Sequence, residues 1–535
     1  MFLVSASIFT LLSFTLPRLA TSSVAYCNNQ DYESGALGLS PYQTYDAAPY
    51  NPVQINYALP PRDCPANSQV SGYFFFSPLG LGTSLEMSGG LIMNPDGTLV
   101  YSTADLALVG AVMRGPMRYR GKDYLTLWVS NGAILSPSGS PLIGNGYNVL
   151  LNSSYDVVAN ITTSGLSVGA DLHEFLITSD NTALMTAYPT TAYDLQSFNG
   201  SQDGYVLNCV VQEVDIATGK PLFTWQALDH VHPSECSTPL GTPFTGDGTA
   251  DSPWDYFHTN SIQKNDDGTY LISSKHCSTL YLVDASGEII WRMGGEKSDF
   301  TMKNGTNFTF QHHARSHGPK VISVFDDGAA GWEVDIPYPR GLLLDYDDSA
   351  MTVSLLSERL PFNRSSPSTS EGSVQMLSNG NSVVGWGSMP SYSEHDRRGD
   401  IMWSAQFAAS NEVSAYRLFL QPWVGRPRTP PLMSIANSSS TENVTVYTWW
   451  NGATEVTSWQ LRGSSLESPL KTITLTAVNK TDFETTLTYT GSGYAYYQVV
   501  AMNGHGQTLG FSNFTGLDGT TFGKGENQTV TAHPL

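Results

Sequence analysis

A chain of 535 residues is longer than one hydrophobic core organises, so at least two domains are predicted. Only 14% of the residues are charged, and 47 acidic against 26 basic side chains give a net charge of −21. A field of that sign repels phosphate backbones and anionic lipid, which excludes nucleic acid and membrane surfaces as partners.

The first residues run apolar to Leu16, break at Pro17-Arg18, and reach a small-residue "SVA" ending at Ala25. This is the layout of a secretory signal over 1–25. The run is short for a bilayer span of about 20 residues, and the polar C-terminus offers no second anchor. Eleven Asn-x-Ser/Thr sequons, at Asn152, Asn160, Asn199, Asn304, Asn307, Asn363, Asn437, Asn443, Asn479, Asn513 and Asn527, predict N-glycans on an exported protein. In an oxidising compartment the five cysteines pair most simply as Cys27–Cys64 and Cys209–Cys236, leaving Cys277 single. Their spacing does not suit a cysteine-based zinc site, and no metal or other cofactor is expected.

Residues 26–75 read as an extended lead-in rich in Pro and Asn. From 76 to 415, runs of Val, Ile, Leu, Thr and Tyr alternate with Asp-Gly, Asn-Gly and Ser-Gly turns, and sustained helical periodicity is absent. Segments such as "GLIMNPDGTLVYS", "HEFLITSDNTALMTAY", "YLVDASGEIIWRMGG" and "GSVQMLSNGNSVVGWGS" repeat one layout of strand, tight turn and strand. They predict an all-β chain whose sheets are degenerate blades of a β-propeller, with a period too irregular to give the blade number. The stretch 416–442, containing "QPWVGRPRTPPLM", reads as a Pro-rich linker. Beyond it, 443–535 alternates with a Trp pair early and a Tyr-rich strand late. That texture predicts a fibronectin-III/Ig-like β-sandwich with a supporting role.

Phosphate-binding loops, HExxH, a strand–GxGxxG–helix unit and the G-x-S-x-G elbow are all missing. The acidic runs "FDDGAAG" and "LDYDDSA" lack the ligand spacing of a calcium loop and read as solvated turns. Histidines remain. His173, His258, His276, His312, His313 and His317 sit at or beside strand-like runs, several at a strand's entrance. In a propeller such entrances converge at one mouth of the central channel, where a ligand pocket forms. For any one of them a hydrogen-bonded core role is the commoner outcome.

The segments "DLHEFLITSDNTALMTAY", "WDYFHTNSIQKNDDGTYLISSKHCSTLYLVDASGEIIWRMGG", "FTFQHHARSH" and "GSVQMLSNGNSVVGWGS" resemble, in that order, the arylsulfotransferase family in its secreted fungal branch. The resemblance spans roughly 30–510. It implies a six-bladed propeller and sulfuryl transfer, independent of PAPS, from an aryl sulfate to a phenol through a sulfated histidine. By the same resemblance His312 of "FQHHAR" is the nucleophile. His258 and His173 match the family's other active-site histidines, and Lys275 stands at a basic position. Arg315, His313 and Asn260 are assigned to substrate binding. A neutral imidazole is a competent nucleophile near pH 7, and fixed cations stabilise charge gathering on sulfuryl oxygens.

Two positions depart from the family pattern. Lys275 replaces an arginine and loses its planar fork, and His313 stands where an acidic residue is expected. His276, next to Lys275 on an extended strand, is expected to face the other way and to be structural. The departures keep two rivals open. One is a redirected family member acting as a cyclase, isomerase or other tailoring enzyme on an aromatic or polyketide-like metabolite; the other is a non-catalytic secreted binding protein.

Overall fold

A computed structural model describes residues 24–523 except 63, 65–70, 81–88, 107, 109, 133–142, 243, 365, 410, 412, 437–442, 469 and 492. The expected signal over 1–25 therefore lies almost wholly outside the described residues. The chain is all-β, with 4% helix and 45% strand. Its α-helical pieces among the described residues are the four-residue turns Gln30–Glu33 and Ala227–His230. No helix among those residues is long and apolar enough to cross a membrane.

Between residues 73 and 421 the described strands form six sheets of four or more strands, antiparallel except where Thr301–Met302 pairs in parallel with Thr352–Arg359. Most follow chain order. Thr259–Lys264, Tyr270–Ser274, Thr279–Val283 and Ile289–Gly294 make one such sheet. Its first turn is the Asn265–Gly268 stretch. Gly268 takes φ +84, and the Asp267 carboxylate accepts from the Thr269 N–H and hydroxyl at 3.0 and 2.7 Å. This Asx geometry recurs at Asp96 and Asp284, which is why Asp-Gly marks the hairpins so regularly.

Central strands are buried on both faces, as in Thr182–Ala187 and Tyr270–Ser274, so alternation is lost there and apolar runs replace it. The reason is face-to-face stacking. Leu184, Trp225, Ile262 and Tyr281 share one inter-sheet core, Leu271, Met293, Ile322 and Leu342 the next, and Phe325, Val374 and Trp386 another. The first strands of successive sheets touch: Thr259–Lys264 meets His312–Ser316, which meets Ser373–Met376.

Two sheets are completed by distant chain segments. Asn56–Leu59 of the lead-in pairs with Ile401–Gln406, and Phe419–Gln421 pairs with Tyr73–Phe76. The stretch expected as a linker, 416–442, thus contributes one strand before its prolines and another, Leu432–Ile435, after them. Proline cannot donate to a ladder, so the prolines themselves lie between the strands.

Residues 432–522 form two further sheets around a core of Val446, Trp459, Leu461, Leu487 and Val499. This unit is fastened to the rest through Glu484, whose carboxylate accepts the N–H groups of Asp46, Ala47 and Ala48 at 2.9, 3.0 and 2.6 Å.

Cysteine pairing differs in part from expectation. Cys27–Cys64 forms, but Cys236 bonds Cys277, and Cys209 is a buried thiol. Sequence separation misleads here because the segment after Cys236 is held on the turn that carries Cys277, with the Thr238 hydroxyl donating to the His276 carbonyl, and all three cysteines border one inter-sheet core.

Replacing Glu484 with alanine removes three hydrogen bonds, two of them part-buried, and is expected to cost about 1–3 kcal/mol. The readout is a lower Tm together with faster proteolysis of the lead-in around residues 42–52.

Candidate active site

Local backbone geometry, more than any single side chain, aims this site. His258, Ser278, Phe310, His313 and Glu371 all have positive φ, between 48 and 72°. Such conformations are costly for residues with a Cβ and concentrate at functional sites. The first strands carrying these groups are also irregular: the ladder shifts between Thr259 and Ser261, and again between His312 and Arg315. A bulge re-aims side chains that strict alternation would point elsewhere.

Three imidazoles are each held from behind by a buried aspartate. His173 Nδ1 lies 2.6 Å from Asp171, His258 Nδ1 2.5 Å from Asp255, and His312 Nδ1 2.6 Å from Asp327. A proton on each Nδ1 makes that contact a hydrogen bond and leaves Nε2 with its lone pair. The rings of His173 and His258 are 4.6 Å apart, and Tyr416 packs against both His173 and His312 at 5.5 and 6.3 Å. His312 Nε2 accepts the Glu371 N–H at 3.3 Å.

Lys275 is buried among these groups, and its ammonium donates to the Thr369 carbonyl at 3.1 Å. Burial lowers its pKa, opposed by Asp327, Asp255 and Glu371. Burial also pushes His258 and His312 well below the usual imidazole range. For His312, Lys275 adds to the effect and His258 and His173 follow. His258 and His312 are therefore neutral at pH 7. At Asp327, burial raises the carboxyl pKa while Lys275 lowers it, and the 2.6 Å contact keeps one proton between it and His312.

His276 does not face away. The strand ends at Ser274, and 275–278 is a turn whose Lys275 and His276 N–H groups donate to the carbonyls of His258 and Phe257. The turn swings His276 onto His258, with ring centroids 4.6 Å apart, and its Nδ1 lies 2.6 Å from the Asp255 carbonyl. The Cys236–Cys277 disulfide pins this turn. Asp255, His258 and His276 place ligand-type atoms within 4.8 Å of one another, a spacing that could hold a metal ion. Both Nδ1 atoms are already directed at Asp255, so hydrogen bonding accounts for the cluster.

Of the residues assigned to substrate binding, none joins the imidazoles. Asn260 donates its amide to the Gln311 carbonyl at 2.6 Å. His313 and Arg315 turn the other way, into a separate cavity. Arg315 pairs there with the buried Glu174 at 2.7 Å. The solvated-turn reading of "FDDGAAG" also fails. Asp326 and Asp327 are both fully buried, on Arg340 and His312 respectively, whereas Asp347 and Asp348 of "LDYDDSA" are exposed. Sequence reasoning further passed over Asp171, Asp255, Glu371 and Tyr416. The first two left a faint signal, an aspartate two or three residues before a strand-entrance histidine.

The aromatic groups bordering the cluster are Tyr188, against His173 and His258, and Trp332, against His276. Planar walls beside neutral bases and one buried ammonium suit proton or group transfer on an aromatic ligand.

A family model described as Arylsulfotransferase (ASST) matches residues 130–408. No curated protein matches the chain. Solved structures similar to it include a protein of unknown function from Bacteroides caccae, at 12% identity over 65% of this chain and 98% of that one, TM-score 0.38. A protein from Lactobacillus plantarum matches at 12% identity over 78% and 99%, TM-score 0.32. A streptogramin B lyase matches at 9% over 82% and 94%, TM-score 0.29.

Burial raises the Glu371 carboxyl from 4.5 to about 7, against lesser lowering by Ser414, His173 and Lys275. Between those values the native state holds a proton that the unfolded chain has released, so stability falls as pH rises through this window. The loss amounts to about 3 kcal/mol. Urea midpoints of Glu371→Gln measured from pH 4.5 to 7.5 are expected to lack this slope.

Proposed function

The chain belongs to the arylsulfotransferase family, and from that premise we propose that it moves a sulfuryl group from an aryl sulfate to a phenol through His312. One observation carries the reading: three imidazoles, each backed by a buried aspartate, lie close together, and a buried ammonium acts electrostatically on two of them, His258 and His312. Asp327 holds the His312 proton on Nδ1. The Nε2 lone pair, released from the Glu371 N–H, attacks sulfur, an N–S bond forms, the S–O bond to the ring breaks, and the phenolate leaves. Lys275 stabilises the charge on the sulfuryl and departing oxygens. In the second half His258 or His173 takes the acceptor phenol's proton, its oxygen attacks sulfur, and the N–S bond breaks to regenerate His312. The aspartate behind the base stabilises the imidazolium that forms.

The proposal extends to the setting. The six sheets close as blades of one propeller, supported by the touching first strands, and 432–522 is a sandwich that braces it. The protein is secreted and N-glycosylated and belongs to the fungal branch. Disulfides and sequon number support export, and the sequence resemblance supports the branch.

A second reading rests on charge. Three carboxyl groups, Asp255, Asp327 and Glu371, act on the one ammonium and Asp171 lies behind His173, an excess of acids that disfavours a sulfate monoanion. Histidine–aspartate pairs then act as acid and base in a cyclisation or isomerisation of an aromatic metabolite.

With a chromogenic aryl sulfate and a phenol, the wild type is expected to turn over and to carry sulfate on His312. His312→Ala is expected to lose about 10³-fold or more in kcat, and Asp327→Asn about 10²-fold. No turnover by the wild type, or full turnover by His312→Ala, sinks sulfuryl transfer. Product formation from an aromatic metabolite with no sulfate donor present supports the second reading.

A further inference from the structure

Beyond Tyr416 lies a region of opposite charge. Tyr416 contacts the His173 and His312 rings, and the guanidiniums of Arg114 and Arg417 sit over it at 5.6 and 5.3 Å. Arg417 grips Glu174 with two bonds, at 2.7 and 3.2 Å, and Arg315 adds a third at 2.7 Å. Glu174 is thereby saturated. Arg114 receives no carboxylate: its Nη1 reaches the His173 carbonyl at 3.3 Å, while Nε and Nη2 are buried with no partner. Arg114 is 2% exposed. Three guanidiniums thus gather beside one carboxylate that only two of them reach, inside a protein of net charge −21. The cost is visible at Arg114, whose pKa falls to about 10 through burial first and Arg417 second.

These arginines line a cavity of about 230 Å³ that includes none of the clustered histidines. The rest of its lining is polar at His313, His317, Gln375 and Gln421 and otherwise apolar, with Met117, Phe175, Leu176 and Phe419 among the apolar walls. At about 30 Å³ per water the volume equals some seven or eight waters. That is enough for one aromatic ring with a small head group and too little for the drug-sized ligands that fill 300 Å³ or more. Unpartnered buried guanidinium donors are expensive unless an anion completes them.

We propose that this cavity is a second ligand site, taking a monoaromatic oxyanion with its head on the free donors of Arg114 and its ring between the apolar walls. The head chemistry is sulfonate, sulfate or carboxylate, and the site does not depend on sulfuryl transfer at His312.

Benzenesulfonate is the probe, because its carbon–sulfur bond cannot take part in transfer. Its affinity for the full chain is measured by calorimetry in wild type, His312→Ala, Arg114→Met and Leu176→Trp. The wild type and His312→Ala are expected to bind alike. Arg114→Met and Leu176→Trp are each expected to weaken binding at least tenfold, the first by removing the donors and the second by filling the cavity. Inorganic sulfate is expected to compete more weakly, since it leaves the apolar walls uncovered. Thermal unfolding controls for folding, and Arg114→Met is expected to hold or raise Tm because it removes an unpaired buried charge. Three results overturn the proposal: no binding at millimolar probe, binding lost in His312→Ala but kept in Arg114→Met, or sulfate binding as tightly as benzenesulfonate.

Discussion

The contact on which the site depends is a hydrogen bond between a buried aspartate and the Nδ1 of a buried histidine, made three times over. Each aspartate is taken wholly out of water, at a cost of several kcal/mol that a single hydrogen bond to a charged group, worth about 1.5–3 kcal/mol, does not offset. The balance comes from packing. Asp171 is fully buried, and further bonds hold it: the His173 and Gly144 N–H groups and the Thr186 hydroxyl at 2.7, 2.6 and 3.2 Å. A sheet stack buried on both faces supplies that surplus, and a scaffold this rigid keeps the imidazole rings from relaxing outward.

The same surplus supports the strained backbone. Positive φ at His258, Phe310, His313 and Glu371 runs against the preference of residues with a Cβ by about 1–2 kcal/mol each. Strict alternation along His312–Ser316 would put His312 and Ala314 on one face and His313 and Arg315 on the other. The structure keeps that split across the bulge: His312 meets Asp327, and His313 and Arg315 open on the other cavity. The disulfide at Cys277 acts in the same sense. It ties down the turn that lets two adjacent residues, Lys275 and His276, enter one cluster.

What the sequence made legible follows from local rules. Asp-Gly turns with Asx geometry mark the hairpins, and strand-entrance histidines are visible because entrances are where a run of apolar residues begins. Partnerships between distant segments were not legible. Asp327 lies 15 residues from His312 in a run that reads as a solvated loop, and only pairing of His312–Ser316 with Val321–Asp326 turns it inward. Tyr416 and Arg417 precede a Pro-rich stretch and look like linker. They enter the interior because Phe419–Gln421 completes a sheet begun more than 300 residues earlier. The disulfide partner of Cys236 was hidden for the same reason, since proximity between neighbouring sheets leaves no trace in spacing.

Tyr416 divides two environments that the fold keeps apart. On one side aspartates outnumber a lone ammonium and neutral imidazoles fill the space between; on the other, arginines outnumber a lone glutamate. Pairing the two sets directly would have satisfied most of these charges, and the chain does not do so. Glu174 directly follows His173 yet faces the arginines, and Arg114 reaches across only to the His173 carbonyl. His173 and Glu174 lie in the bend just before the strand Phe175–Ile177 and serve the two sides from adjacent positions. Charges left uncompensated within a rigid interior mark places where the missing partner arrives from outside. On the imidazole side that partner can be a proton or an aromatic electrophile; on the arginine side only an anion meets the need.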